Sequence, residues 1–166
     1  MKQMKRIFTL LFVAMVATTM WAQSPLKRVY DESVEPLQQI EAAVERARQG
    51  SKHVVCQVGG NWCIWCLRFA DFIEKDTTIA QLVADNYEYI HVNYNPRQKV
   101  SPELMKRLDN CGRFGYPVLV VLDGEGRVIH IQDSGLLEEG KGYSKDKVER
   151  FFRLWTPQAL EPPTTR

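Results

Sequence analysis

Two cysteines three positions apart, Cys63 and Cys66, lie in the run Trp62-Cys63-Ile64-Trp65-Cys66. Thiols at that spacing can pass a pair of electrons. A thiolate attacks a disulfide, and a second thiol within bonding reach releases the mixed disulfide that forms. Two conditions follow. The cysteines must be held as neighbours, as residues i and i+3 of a helix are, with Cα atoms roughly 4.4–6.8 Å apart. They also need positive potential close by, because the thiolate is the reactive form.

The flanking sequence meets both conditions. A short apolar run, Val54-Val55-Cys56-Gln57-Val58, and a Gly59-Gly60-Asn61 turn precede the motif, and Leu67 to Lys75 follows with helical spacing of apolar residues. This predicts a strand handing over to a helix N-terminus, where unpaired N–H groups and a partial positive charge favour a thiolate. A structural disulfide is the plainer alternative, but so small a ring stabilises a fold little through loop entropy. A zinc site needs four ligands, usually in two close pairs. Cys56 and Cys111 are single and no His lies within a few residues of the motif, so no metal is expected.

Cys56, in the apolar strand, and Cys111, on an apolar helix face, read as buried free thiols, with a disulfide between them as the alternative. Trp62, Ile64 and Trp65 read either as an apolar collar for docking a partner or as core; the expectation is Trp62 partly packed, Ile64 and Trp65 more exposed. His53, His91 and His130 all fall in predicted strands and read as structural.

Residues 1–22 read as a signal peptide: Lys2, Lys5 and Arg6, then an apolar stretch from Ile7 to Ala17, then Ala22 before the cut. The stretch is short of the ~20 residues a membrane span needs, and an uncleaved anchor is the alternative. No other stretch is apolar enough to span a bilayer, and no cysteine near the signal end suggests a lipid anchor. The expected location is periplasmic or secreted, where disulfide chemistry is supported. The formal charge of +2 becomes −1 when the three basic leader residues are removed, with no block of like charge. That pattern excludes a nucleic-acid or anionic-membrane surface.

The remaining chain, about 144 residues, suits one domain. Residues 23–35 form a polar N-terminal extension, with a short strand near Lys27–Tyr30. A helix is predicted from Pro36 to Gly50, buried through Leu37, Ile40, Val44 and Ala47. Then come a buried strand from His53 to Val58, the helix carrying the cysteines, and a break at Asp76-Thr77-Thr78 before a second helical piece. A strand from Tyr87 to Tyr94 follows, and a helix starting at Ser101-Pro102-Glu103 with Leu104, Leu108 and Cys111 on one face. Two apolar runs around Asp123-Gly124-Glu125-Gly126 predict an antiparallel hairpin. A polar loop from Asp133 to Tyr143 precedes a last helix capped by Ser144 and stopped at Pro157. Strands separated by helices imply parallel pairing through right-handed crossovers. The fold class is α/β: a mixed sheet of four to five strands, helices on both faces, and a C-terminal antiparallel hairpin plus helix.

The Trp62–Cys66 motif after a buried strand, Tyr116-Pro117 before the hairpin and the closing amphipathic helix resemble the thioredoxin superfamily, and within it exported domains of the DsbD C-terminal type. The resemblance implies a thioredoxin-like domain over residues 36–156; beyond the stop at Pro157, residues 157–166 read as a disordered tail. It implies Cys63 as nucleophile, Cys66 as resolving thiol, and Tyr116 and Pro117 as substrate-binding, Pro117 in the cis form with its strand offering backbone groups to an extended substrate segment. The chain departs from the family at Gln57, where thioredoxins carry an acid six positions before the first cysteine. An amide cannot act as a general base near neutral pH.

The expected function is an exported thiol–disulfide oxidoreductase, a reductase or electron relay to other exported proteins, with no cofactor beyond the Cys63–Cys66 disulfide. Its partners are exported proteins with thiols or disulfides and an upstream electron donor or acceptor, and a monomer is expected. The alternative is a thioredoxin-fold protein-binding or chaperone module with little redox turnover.

Overall fold

A computed structural model of the chain describes residues 25–97 and 102–162. Residues 1–22, expected to be a signal peptide, Ser101 and residues 163–166 lie outside the described residues. Among the described residues no helix is long and apolar enough to cross a membrane.

Helix α1 spans Pro36–Gly50. The Glu35 carboxylate accepts from the Gln38 N–H at 2.8 Å, and Pro36 occupies the first turn, where a missing N–H costs nothing. Strand β1 (His53–Gly59) is buried along its whole length. Helix α2 (Ile64–Lys75) follows it, and Asp76 ends α2 and caps α3 (Thr77–Asn86), accepting from the Thr78 and Ile79 N–H groups at 3.1 Å. Strand β2 (Tyr87–Asn93), helix α4 (Pro102–Arg107), strands β3 (Val118–Leu122) and β4 (Val128–Asp133), a two-stranded ribbon of β5 (Glu138–Glu139) and β6 (Gly142–Tyr143), and helix α5 (Lys145–Leu154) complete the order.

The main sheet has four strands in the order β2-β1-β3-β4. Only β1 and β2 are parallel, with His53 opposite Tyr87; β3 is antiparallel to both β1 and β4. The expected parallel pairing of every separated strand is therefore wrong for β3. Its first residue, Val118, pairs with Val58 near the end of β1, so β3 must run back along β1.

Strand alternation divides the core. Val54, Cys56, Val58, Ile90, Val92, Val118, Val120 and Leu122 pack with Ile40, Ala43, Val44 and Ala47 of α1 and with Leu104 and Leu108. Val55, Leu119 and Val121 face the other way, onto Phe69 and Ile73 of α2, Ile79 and Val83 of α3, and Val148, Phe151 and Phe152 of α5. Each fully buried side chain of this size contributes on the order of 1.5–3 kcal/mol, so the central strands are held from both sides.

Other local expectations are corrected. Residues Lys27–Tyr30 form no strand; the Tyr30 backbone is instead held by the Asn61 side chain, which accepts from its N–H at 3.2 Å and donates to its carbonyl at 2.7 Å. Cys111 lies on a 3-10 turn, Cys111–Phe114, beyond the end of α4, although it shares one core with Leu104 and Leu108. Ser144 stands at the start of α5 with no side-chain capping bond. Ordered structure also extends past Pro157, in a 3-10 turn at Gln158–Leu160.

Candidate functional site

The site forms where β1 ends. Gly60 accepts the Cys63 N–H at 3.0 Å, closing the turn that starts α2. Cys63 takes the N-cap position, in extended backbone, and its Sγ accepts the Cys66 N–H at 3.2 Å. A side-chain acceptor at that position satisfies a donor that the helix cannot, and a thiolate there is favoured by the same N–H. Cys63 and Cys66 are disulfide-bonded, with Cα atoms 5.2 Å apart. Cys66 is fully buried and Cys63 is 8% exposed, so Cys63 is the one that meets solvent.

Tyr116-Pro117 lies against the pair. The Tyr116–Pro117 peptide bond is cis, and the Tyr116 carbonyl oxygen is 3.6 Å from Cys63 Sγ. The strand behind it cannot accept an added strand as expected, because β3 is paired on both sides from Val118 onward. The segment from Gly115 to Pro117 lies ahead of the ladder.

Around this centre Trp62 and Ile64 sit as expected and Trp65 does not. Trp62 is half exposed, its indole N–H donating to the Tyr94 carbonyl at 2.8 Å and its ring edge-on to Tyr116. Tyr116 in turn stacks on Tyr94 at 4.9 Å. Ile64 is half exposed, as expected. Trp65 is the packed one: it meets Tyr143 edge-on, its carbonyl accepts the Tyr143 hydroxyl at 3.1 Å, and the Arg68 guanidinium lies 4.9 Å over its ring. Trp65 follows Ile64 on α2 and so turns towards β6, an element not anticipated. An open groove of about 890 Å³ runs from Ile64 past Arg68 and Phe72 to Tyr143.

Beneath the cysteines is a buried polar cluster. Gln57 is fully buried and its amide is fully used: it donates to the Tyr30 hydroxyl at 2.5 Å and to the Cys66 carbonyl at 2.9 Å, and accepts the Tyr89 hydroxyl at 2.6 Å. Burial holds the Tyr30 and Tyr89 phenols well above their ordinary range. His91 of β2, opposite Gln57, packs its ring against both tyrosines. Its Nε2 is buried with no partner among the described residues, and burial, with Lys27 nearby, lowers it to about 4. Cys56 and Cys111 are free and buried on the opposite face of the sheet; burial raises the Cys56 thiol far above its usual range and Cys111 to about 11.

A family model described as thioredoxin-like matches residues 35–124, more than half of the chain. The chain belongs to the thioredoxin-like family. Its fold is shared with a disulphide isomerase from Xylella fastidiosa Temecula1, 22% identical over 77% of this chain and 96% of that one, with a TM-score of 0.67. It is also similar to the oxidised C-terminal domain of DsbD from Neisseria meningitidis, at 18% identity, 76% and 98% coverage and a TM-score of 0.47. No curated protein matches.

In this thioredoxin-like chain all seven residues singled out from the sequence, Trp62, Cys63, Ile64, Trp65, Cys66, Tyr116 and Pro117, fall at one end of the sheet. Four others were missed. Tyr89 was within reach, because alternation along β2 puts it on the face of Gln57. Gly59 carried a weaker signal: a Cβ there would overlap Cys66 Sγ, so only glycine fits where β1 passes the pair. Tyr30 and Tyr94 arrive from outside the motif, and no spacing rule connects them to it.

Proposed function

We propose that this protein is an exported thiol–disulfide oxidoreductase, acting as a reductase or electron relay towards other exported proteins, with Cys63 as nucleophile and Cys66 as resolving thiol. The observation that carries this reading is Cys63 at the N-cap of α2, bonded to Cys66 and 3.6 Å from the Tyr116 carbonyl. The Cys66 N–H that meets Cys63 Sγ stabilises negative charge on that sulfur. The fully buried Cys66 is kept from other oxidants. Trp62, Ile64, Tyr116 and Pro117 surround the Cys63 sulfur and would contact a substrate segment, whereas Trp65 supports from behind. Export is inferred from residues 1–22, and no cofactor is needed because the pair itself stores the electrons.

The reaction in the reducing direction needs the dithiol. Cys63 attacks a substrate disulfide, Cys66 attacks Cys63 Sγ, and the pair returns to the disulfide. The test is reduction of DTNB or insulin by the reduced full chain, compared with Cys63→Ser. The wild type is expected to turn over and the variant to fall to the background rate. Equal rates would sink the reading.

A further inference from the structure

We infer that Tyr30, carried on the segment ahead of α1, donates the hydrogen bond that steadies Cys66 as a thiolate once the pair is reduced. This rests on the oxidoreductase reading above and names what stands in for the acid that the family places at position 57.

Hydrogen-bond directions carry the inference. The Cys66 carbonyl can only accept, so the Gln57 atom 2.9 Å from it is the amide nitrogen. The other amide hydrogen then points at the Tyr30 oxygen, 2.5 Å away, which therefore accepts. The Gln57 oxygen is occupied by the Tyr89 hydroxyl. The Tyr30 proton is thus directed away from Gln57, and the hydroxyl lies beside Gly59 and in the same cluster as Cys66. A Cβ built on Gly59 would stand 3.1 Å from the Tyr30 hydroxyl and would overlap Cys66 Sγ. Hydroxyl and sulfur flank one bare Cα, and both belong to one buried cluster with Cys63 and Leu67. The Asn61 clasp on the Tyr30 backbone sets the phenol at this depth.

Tyr30 is a donor and not a base, because its burial favours the protonated phenol. The titratable groups around it are Tyr89 and His91 of β2 and Tyr143 of β6, with Lys27 acting on His91. None of the side chains bonded to Gln57 is a carboxylate.

In the reaction, the Cys63 thiolate forms a bond to one substrate sulfur, the substrate S–S bond breaks, and the first substrate thiolate leaves. The Cys66 thiolate then bonds to Cys63 Sγ, the mixed disulfide breaks, and the second substrate thiolate leaves. Two electrons pass from the pair to the substrate, and the two thiol protons end on the released thiolates through water. Tyr30 keeps its proton throughout; its bond stabilises the Cys66 anion between loss of its proton and attack.

The experiment is a titration of the Cys66 Cβ carbon shift by NMR in full-length Cys63→Ala, with Tyr30 and with Tyr30→Phe. Loss of one hydrogen bond to an anion moves the midpoint upward by about one pH unit in Tyr30→Phe. Coincident midpoints, or a downward shift, overturn the inference. If circular dichroism shows Tyr30→Phe unfolded, Asn61→Ala, which releases the Tyr30 backbone, must shift the midpoint in the same direction, and no shift there overturns it as well. The titration needs no turnover, so it is answered separately from the oxidoreductase reading, which fails through equal rates for wild type and Cys63→Ser.

Discussion

Cys56 and Gln57 are adjacent on β1 and face opposite sides of the sheet, and the two sides bury different chemistry. The side towards α1 and α4 is apolar from end to end, and its two thiols are simply small packing groups. The side towards α2 is apolar under α5, but at the end nearest the cysteines it holds an amide, two phenols and an imidazole. Neither residue type nor burial distinguishes the two kinds of thiol; their neighbours do. Cys56 and Cys66 are equally buried, yet only Cys66 lies beside hydrogen-bond donors and a bonded partner.

The strongest way to break this contrast is alkylation. In the reduced native protein at neutral pH, iodoacetamide should label Cys63 at least about a hundredfold faster than Cys56 or Cys111, as followed by mass spectrometry of peptides. After unfolding in urea all four cysteines should react at similar rates. Comparable native rates at Cys56 and Cys63 would erase the distinction between the faces, and a Cys63 no faster than free cysteine would favour an idle disulfide on a binding module.

A second test uses pH, because only the polar side holds a buried imidazole. His91 is lowered from 6.5 to about 4 by burial, then by Lys27. The unfolded chain therefore takes up a proton that the native protein refuses. Stability from this source is intact above pH 6.5 and falls as pH drops from there towards 4, by about 2 kcal/mol at pH 5. Urea midpoints at pH 7 and pH 5 should differ by more in wild type than in His91→Phe. The same difference in both would show that the imidazole is not held neutral by the fold.

The smallest effect is expected on the dry face. Cys56→Ala removes one buried heavy atom and should cost about 1 kcal/mol in denaturant unfolding, with DTNB turnover unchanged. A loss of turnover without loss of stability would couple the two faces, contrary to their separation here.

Much of this was legible in the sequence, for local reasons. The cysteine spacing, the glycines before it and the apolar period after it report a strand-to-helix junction within some twenty residues. The hairpin around Asp123–Gly126, the helix start at Pro36 and the cap at Asp76 are equally short-range. What failed depended on distant partners. The direction of β3 is set by where a long connection lands beside Val58. Trp65 is packed rather than exposed because the ribbon β5–β6, which takes it up, has only two residues in each strand and leaves little trace in the sequence. Gln57 was recognised as unusual, but its partners lie 27 and 32 positions away in sequence.

The clasp between Asn61 and Tyr30 has a practical consequence for cutting and grafting this domain. The family match begins at residue 35 and the first helix at Pro36, so a fragment trimmed to that point keeps every helix and strand. It also leaves a buried Gln57 N–H facing an empty slot, which costs about as much as a lost hydrogen bond plus the desolvation of the donor. Leu26 and Val29, which pack on the same cluster, would go with it. The transferable unit therefore starts some ten residues ahead of its first helix, and a chimera that moves the cysteine motif without that strip moves the two sulfurs but not their surroundings.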